Sequence, residues 1–227
     1  MKYIKKYFTI WWIPIVSYCL PILVYIIGTR LKSNDLIDVA LILFYINILG
    51  NIISTIVQIS NKKWFLIIPQ FLITSFLIIY ISVIFSFSPA DYYGAKKVIP
   101  NNVEFEKLIE KELKETDLGL NDFKIVSVSQ PGIYRYYTNY KSKEKGYFYI
   151  KAFEITSNDR LSEARILQRS KIIVDNLDSN FFTQEFTIYE GSWGDKYGAR
   201  IELWFKTDSG NEFKVNQKNY IVEGWMR

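Results

Sequence analysis

Leu36 to Ile59 reads LIDVALILFYINILGNIISTIVQI, 24 residues whose one charged side chain, Asp38, lies near the start. A helix rises about 1.5 Å per residue, so this stretch covers roughly 36 Å, more than the ~30 Å hydrocarbon core of a bilayer. Two further runs flank it, Phe8–Gly28 and Trp64–Phe87, of 21 and 24 residues. Three such segments in series, apolar around most of their circumference, leave too little polar chain to cover them as core helices of a water-soluble protein. The sequence therefore predicts three membrane-spanning helices in residues 1–88, a connector over 89–100 and a soluble α+β domain over 101–227 with an antiparallel sheet or sandwich.

Charge follows the same division. Residues 1–90 carry seven basic side chains and two acidic ones, Asp35 and Asp38, which leaves 21 of each sign for the remainder. The basic excess thus sits at the expected membrane edges rather than in a soluble patch, and nucleic-acid binding is set aside. Lys2, Lys5, Lys6, Lys62 and Lys63 fall on one side of the three spans, Arg30 and Lys32 on the other; Lys96 and Lys97 beyond the third span would join the smaller group. The positive-inside rule then predicts a cytoplasmic N-terminus, an extracytoplasmic C-terminal domain and a multi-pass place in the cytoplasmic (inner) membrane. Trp11, Trp12 and Trp64 would lie at the cytoplasmic interface. Lys2, Lys5 and Lys6 before the first run resemble a secretory signal, but that run is longer than a usual signal core and lacks a cleavage pair, so an uncleaved anchor is expected. Ser88 and Ala90 form a small-x-small pair that is read as chance.

The second run carries Asn47, Asn51, Ser54, Thr55 and Gln58 on one helical face, with Gly50 beside them. Such a face should avoid lipid. It serves helix packing within one bundle or between copies, with Ser75, Ser82 and Ser86 of the third run as candidate partners, or else it is a binding face for a membrane partner. Proton or ion relays normally need an ionisable group deep in a span, and none is present. Pro14 and Pro21 should kink the first span.

In the soluble part, Asn101 or Asn102 reads as the cap of a helix ending near Gly119, with Phe105, Leu108, Ile109 and Leu113 as its apolar stripe. Short runs rich in β-branched and aromatic residues follow: 123–129, 133–140, 147–155, 183–189, 197–206, 212–215 and 220–225. Gln130-Pro131-Gly132 predicts a type II turn and Asp208-Ser209-Gly210-Asn211 a tight hairpin. In the strand ending at Lys206, Ala199, Ile201, Leu203 and Phe205 should face the core, and Arg200, Glu202, Trp204 and Lys206 water. A helical insert is expected over 159–170, with Leu161, Ala164 and Leu167 inward.

The chain has no histidine and one cysteine, Cys19, inside the first run. Ser-His and Cys-His dyads, His-ligated metals, a Cys-based zinc site and an intrachain disulfide are excluded. No phosphate-binding glycine loop, nucleophile elbow or dinucleotide fingerprint is present. Neither a cofactor nor a metal is expected. Glu190, Asp195 and Glu202 are the acids that could make a hydrolase pair or hold calcium, without the ordered spacing either needs. Tyr134, Tyr136, Tyr137, Tyr140, Tyr147 and Tyr149 crowd two strands read as neighbours, where they act as a contact platform or as strand filler.

The stretch 190–198, EGSWGDKYG, joins two strands with three glycines and two aromatics, and its Glu190, Trp193, Asp195 and Tyr197 form the candidate interaction loop. The alternative is a long hairpin whose Trp193 folds back on the core. Together with its surroundings, 188–205 IYEGSWGDKYGARIELWF, and the closing Gly224-Trp225-Met226-Arg227, it resembles parts of small bacterial membrane proteins that are themselves uncharacterised. The resemblance implies a bacterial inner-membrane setting and carries over neither activity nor site. The expected function is a non-enzymatic, membrane-anchored interaction protein that presents its sheet domain to a protein or envelope partner, an immunity-type protein being one version. The partners expected are the lipid bilayer and a protein, with homo-oligomer formation open. The alternatives are an accessory subunit of a membrane transport or secretion complex, bound through the polar stripe of the second span, and a carboxylate hydrolase.

Overall fold

The computed structural model describes residues 2–87 and 91–225, with side chains from residue 6 to 86 and from 91 to 225. The Ser88/Ala90 pair, Pro89 at the start of the expected connector, the side chains of Lys2 and Lys5, and the closing Met226-Arg227 lie outside the described residues. The chain divides into two compact units, Met1–Ala90 and Asp91–Arg227.

The first unit is helical: α1 (Lys2–Thr9), α2 (Ile13–Val16), α3 (Cys19–Arg30), α4 (Asn34–Ser60) and α5 (Trp64–Phe87). Three segments are long and apolar enough to cross a membrane: Ile13–Arg30, which joins α2 and α3, Asn34–Ser60, and Trp64–Ser86. The first expected span is thus broken rather than merely kinked. Pro14 and Pro21 each sit in the first turn of a helical piece, where a missing N–H costs no hydrogen bond. By contrast Pro69 lies inside α5 without ending it.

The helical unit is sorted in the reverse of a water-soluble bundle. Ala40, Phe44, Asn47, Asn51, Ser54 and Gln58 of α4 are buried at helical spacing, while Ile42, Ile46, Leu49, Ile52, Ile53 and Ile56 are exposed. The buried amides find partners across helices. Gln58 Nε2 donates to Gln70 Oε1 at 2.5 Å, Gln70 Nε2 to Asn51 Oδ1 at 3.0 Å, and Asn51 Nδ2 to the Tyr18 hydroxyl at 3.2 Å. Ser17 Oγ donates to Asn47 Oδ1, and Ser54 Oγ to the Phe8 carbonyl at 3.2 Å. Thr55 bonds back to Asn51 O at 2.9 Å, closing on its own helix. Among the described residues, Gln58 Oε1 is a buried acceptor with no partner. The partner on α5 is Gln70 and not an expected serine; Thr74 is buried but bonds back to the Gln70 carbonyl of its own helix at 2.7 Å, Ser75 and Ser82 are half-buried, and Ser86 is exposed.

The second unit holds β1 (Phe123–Ser127), β2 (Ile133–Thr138), β3 (Gly146–Glu154), β4 (Arg160–Leu161), α6 (Glu163–Arg169), β5 (Ile172–Val174), β6 (Phe182–Thr187), β7 (Tyr197–Thr207) and β8 (Glu212–Val222). One sheet runs β1-β2-β6; the other runs β4-β3-β7-β8, with β5 also on β3, and every strand pairing is antiparallel. Both sheets contribute to one core, which includes Phe123, Ile125, Tyr134, Tyr136 and Phe186 from the smaller and Phe148, Ile150, Ile201, Leu203 and Phe205 from the larger. Gly132 at φ +85° and the Ile133 N to Gln130 O bond of 3.2 Å make the expected type II turn, and Gly210 at φ +98° sits in the β7–β8 hairpin.

Several expectations are corrected. The segment 101–119 is not the expected helix but a largely extended strap with a 3-10 turn at Glu115–Asp117: Glu106 pairs with Tyr220 of β8 and Ile109 with Val126 of β1, both in parallel. The edges of the two sheets need backbone partners, and Glu106 N to Asn219 O (2.8 Å) and Ser127 N to Ile109 O (2.9 Å) supply them. The expected strands 212–215 and 220–225 are one strand, β8, with a register shift opposite Leu203/Trp204. Residues 160–161 are strand, so the insert helix is shorter than expected and presents Ile166 to the core, while Leu167 is exposed. The tyrosine strands are not neighbours: β2 and β3 belong to different sheets, Tyr134, Tyr136 and Tyr137 are buried, and no shared platform forms. On β7 the outer face is not fully wet, for Glu202 is buried between Arg200, Trp204 and Lys214.

Replacing Gln70 by Leu strips Gln58 Nε2 and Asn51 Oδ1 of a partner in an apolar surround. The variant should lose about 1–2 kcal/mol of helical-unit stability, read as a lowered unfolding midpoint in detergent, while Ser86→Leu should leave the midpoint unchanged.

Candidate functional site

The loop between β6 and β7 is held by short polar contacts from several directions. Gly191, at φ +97°, gives its N–H to an Asp91 carboxylate oxygen at 2.8 Å, and Ser192 Oγ donates to the Asp91 carbonyl at 2.8 Å. Gly194 N–H meets Glu223 Oε2 at 2.8 Å. Gly94 packs so closely that a Cβ there would lie 2.5 Å from the Asp195 carbonyl, and the Tyr93 and Tyr197 rings meet edge to face at 5.5 Å. The described part of the expected connector, 91–100, therefore belongs to the sheet unit. Its 3-10 turn, Gly94–Lys96, presses on the loop.

The four loop residues separate into two groups. Glu190 accepts from Ser162 N at 2.7 Å and from Ser162 Oγ at 2.6 Å, tying the loop to the start of α6. Tyr197 is buried in the core and donates to the Glu190 carbonyl at 2.7 Å; burial pushes its hydroxyl far above the usual tyrosine range. These two build the loop. Trp193 is 45% exposed, so it does not fold back as a lid, and Asp195 is half-buried beside it. The presented side chains are Trp193, Asp195 and Lys196, the last unremarked in the sequence because one lysine in a turn carries no pattern. A shallow depression of about 480 Å³, lined in part by Glu106, Leu108, Tyr134, Lys196 and Glu223, adjoins them along the strap. The polar face of Asn47, Asn51, Ser54, Thr55 and Gln58 is engaged within the helical unit as described above. Glu190, Asp195 and Glu202 do not assemble as a pair: Glu190 is held by Ser162 and Glu202 by Arg200 and Trp204.

A second cluster has the components of a serine–lysine dyad. Lys97 Nζ lies 2.9 Å from Ser157 Oγ, with Asp159 at 3.2 Å and Glu154 at 3.5 Å. A lysine base must be neutral, and this one is held charged. Burial by itself lowers its pKa, but the hydrogen bond to Asp159, with Tyr93 and Glu154 adding to it, raises it above the ordinary lysine value. Burial alone would raise the Glu154 carboxyl, which is 0% exposed; hydrogen bonds from Ser157 and Thr156 more than reverse this and hold it at about 2. Ser157 spends its hydroxyl on those carboxylates. The cluster is a clasp that fastens residues 93–97 to the β3–β4 turn.

Among the described residues, no group of His, Cys, Asp and Glu is placed to hold a metal ion. No family model matches the sequence, and no curated protein matches it. One solved structure does, described as an "X-ray Crystal Structure of a Putative Lipoprotein from Bacillus anthracis". The match is at 10% identity and TM-score 0.31, covering 57% of this chain and 99% of that one. No family or sequence relative thus supports the resemblance noted for 188–205.

The clasp gives the sheet unit a defined acid sensitivity. Glu154 has its pKa depressed on folding, so its contribution is complete above about pH 4.5 and disappears as pH falls toward 2. Glu154→Gln should cost about 2–3 kcal/mol at pH 7 and flatten the fall in stability between pH 4.5 and 2, measured by denaturant titration at each pH.

Proposed function

We propose that this protein is a non-enzymatic, membrane-anchored interaction protein. Its three apolar helices span the cytoplasmic membrane with the N-terminus inside, and its sheet domain lies outside to meet a protein or envelope partner. The observation that carries the anchoring is the inverted sorting of α4, with amides buried and six isoleucine and leucine side chains exposed, together with exposed Phe65, Phe71 and Phe76 on α5. In water that surface would be a severe aggregation liability; in hydrocarbon it is neutral, and the buried amides keep their partners.

Two observations support binding over catalysis. The lysine of the dyad-like cluster is held charged between carboxylates, and two of the three acids read for a hydrolase pair, Glu190 and Glu202, are committed to neighbours. The loop of residues 190–198 has the features of a presented surface: a backbone fixed by Asp91 and Glu223, a Glu190 side chain held by Ser162, and an exposed indole. A surface held rigid loses little conformational freedom when it binds. An immunity-type role, shielding the cell from a membrane-directed toxin, is one concrete form of this reading. The alternative of a subunit docked through the α4 stripe is disfavoured because those polar groups face the protein's own helices.

The test separates the two surfaces. A photoreactive residue at position 193 in growing cells should give a discrete crosslink that Asp195→Ala weakens severalfold. The triple change Asn47→Leu, Asn51→Leu, Gln58→Leu should leave that crosslink intact wherever the protein accumulates. Loss with the triple change and not with Asp195→Ala would favour the transport-subunit reading.

A further inference from the structure

Residues 91–227 are formally neutral, but the outer face of the larger sheet is not. Alternation sends Ile150, Ile201, Leu203 and Phe205 into the core, so their sequence neighbours stand on the opposite face. Register there sets Tyr149 beside Trp204, Lys151 beside Glu202 and Phe153 beside Arg200. β8 adds Lys214 next to Trp204 and Glu212 next to Lys206, and Lys171 places its Nζ 4.0 Å from the centre of the Tyr147 ring. Arg160, opposite Phe153 on β4, is balanced by Glu163 at 2.5 Å. Lys151, Lys171, Arg200, Lys206 and Lys214 then stand against Glu202 and Glu212, an excess of three positive charges.

The rings on this face already carry cations. Besides Lys171 on Tyr147, Lys151 Nζ lies 3.5 Å from the centre of the Trp204 ring and 5.4 Å from that of Tyr149, and the Arg200 guanidinium lies 4.8 Å from that of Phe153. A nucleobase or a sugar would have to displace these cations in order to stack, so the rings serve as a bed for the cations. The two acids lie among them. Glu202 accepts from Arg200 Nε at 3.0 Å and Trp204 Nε1 at 2.9 Å, and Glu212 from Lys151 Nζ at 2.6 Å and from the Tyr149 hydroxyl. Lys171 and Lys206 have no ion-pair partner among the described residues. A uniform polyanion, such as a phosphate backbone or a headgroup layer, is drawn by the excess but pushed off by two carboxylates in its midst. A polypeptide surface of net negative charge can set its acids against Lys171 and Lys206 and a cation against Glu212. Tryptophan, tyrosine and arginine on a flat sheet are also the composition of protein-binding hot spots.

We infer that the outer face of β3, β7 and β8 is a docking surface for an acidic polypeptide of mixed charge, met by Lys171, Lys206 and Lys214 around Trp204 and Glu212. This surface is distinct from the loop of residues 190–198, and its failure would leave both the loop reading and the anchoring reading standing.

The test uses the full chain in phosphatidylcholine nanodiscs at low salt, with two labelled probes: a peptide of repeating Glu-Glu-Lys, and polyphosphate of the same net charge. The peptide should bind, with an affinity that falls as salt rises. Lys171→Gln with Lys206→Gln should weaken it about fivefold or more. Lys107→Gln with Lys111→Gln removes the same charge from the exposed strap and should leave peptide binding unchanged. Glu212→Gln lifts the repulsion that only the uniform polyanion feels, so the preference for peptide over polyphosphate should fall severalfold. Equal loss in the two lysine pairs would mean attraction to net charge alone and overturns the inference, as does the absence of peptide binding. Polyphosphate binding more tightly than the peptide to the unaltered chain overturns it too, and makes the ligand a phosphate-bearing polymer or headgroup.

Discussion

The hydrogen bonds among Asn51, Gln58 and Gln70 fix how the helical unit is arranged. A side-chain amide in an apolar surround must find a partner or forfeit about 1–3 kcal/mol, so α4 has to turn its polar stripe toward α1, α3 and α5. Once it does, isoleucine and leucine fill the opposite face and the outer surface becomes apolar. Small residues help on the same side: Gly50 admits the Tyr7 ring so closely that a Cβ would approach the hydroxyl to 2.7 Å. In a bilayer this one constraint sets the rotation of α4 and the closeness of its neighbours.

The sheet unit answers a different constraint, the need to finish two sheet edges. The strap of residues 101–119 gives backbone partners to β8 and β1 and sends Phe105 against Gly198, Leu108 into the main core, and Ile109 and Leu113 into a satellite cluster with Val126 and Tyr137. The C-terminal stretch works similarly. Trp225 N–H bonds the Ile188 carbonyl at 2.7 Å, and the Tyr134 hydroxyl is bonded to the backbone of Glu223 on both sides. These long-range ties brace the loop of residues 190–198 beneath its exposed Trp193.

What could be read in the sequence follows from how local each signal is. The three apolar helices, most strand cores, the Pro131-Gly132 turn and the Gly210 hairpin depend on composition or on two adjacent residues, and each was legible. The strap was not. Its Phe105, Leu108, Ile109 and Leu113 have helical spacing, and only the unfilled edges of strands distant in sequence override that preference. The split of the tyrosines between two sheets is likewise a matter of topology. At the loop, nothing local in the sequence separates Glu190 and Tyr197 from the presented residues, because Ser162 and the core that claim them are distant in sequence or set by the fold. Lys196 and the clasp of Lys97 with Glu154 depend on partners about 30 to 60 residues away. Polar residues on α4 pointed inward as expected, but Gln70 escaped notice next to Pro69 in a run otherwise apolar.

In the proposed reading, anchoring by the helices, presentation of the loop and an extracytoplasmic sheet domain are linked through one topological claim, an odd number of crossings from a cytoplasmic N-terminus. The direct measurement is a pair of fusions after Arg227, one reporter active only outside the cytoplasm and one active only inside. The account predicts activity of the first and silence of the second. The reverse pattern would contradict it, because the sheet domain would then face the cytoplasm and any envelope partner would be out of reach.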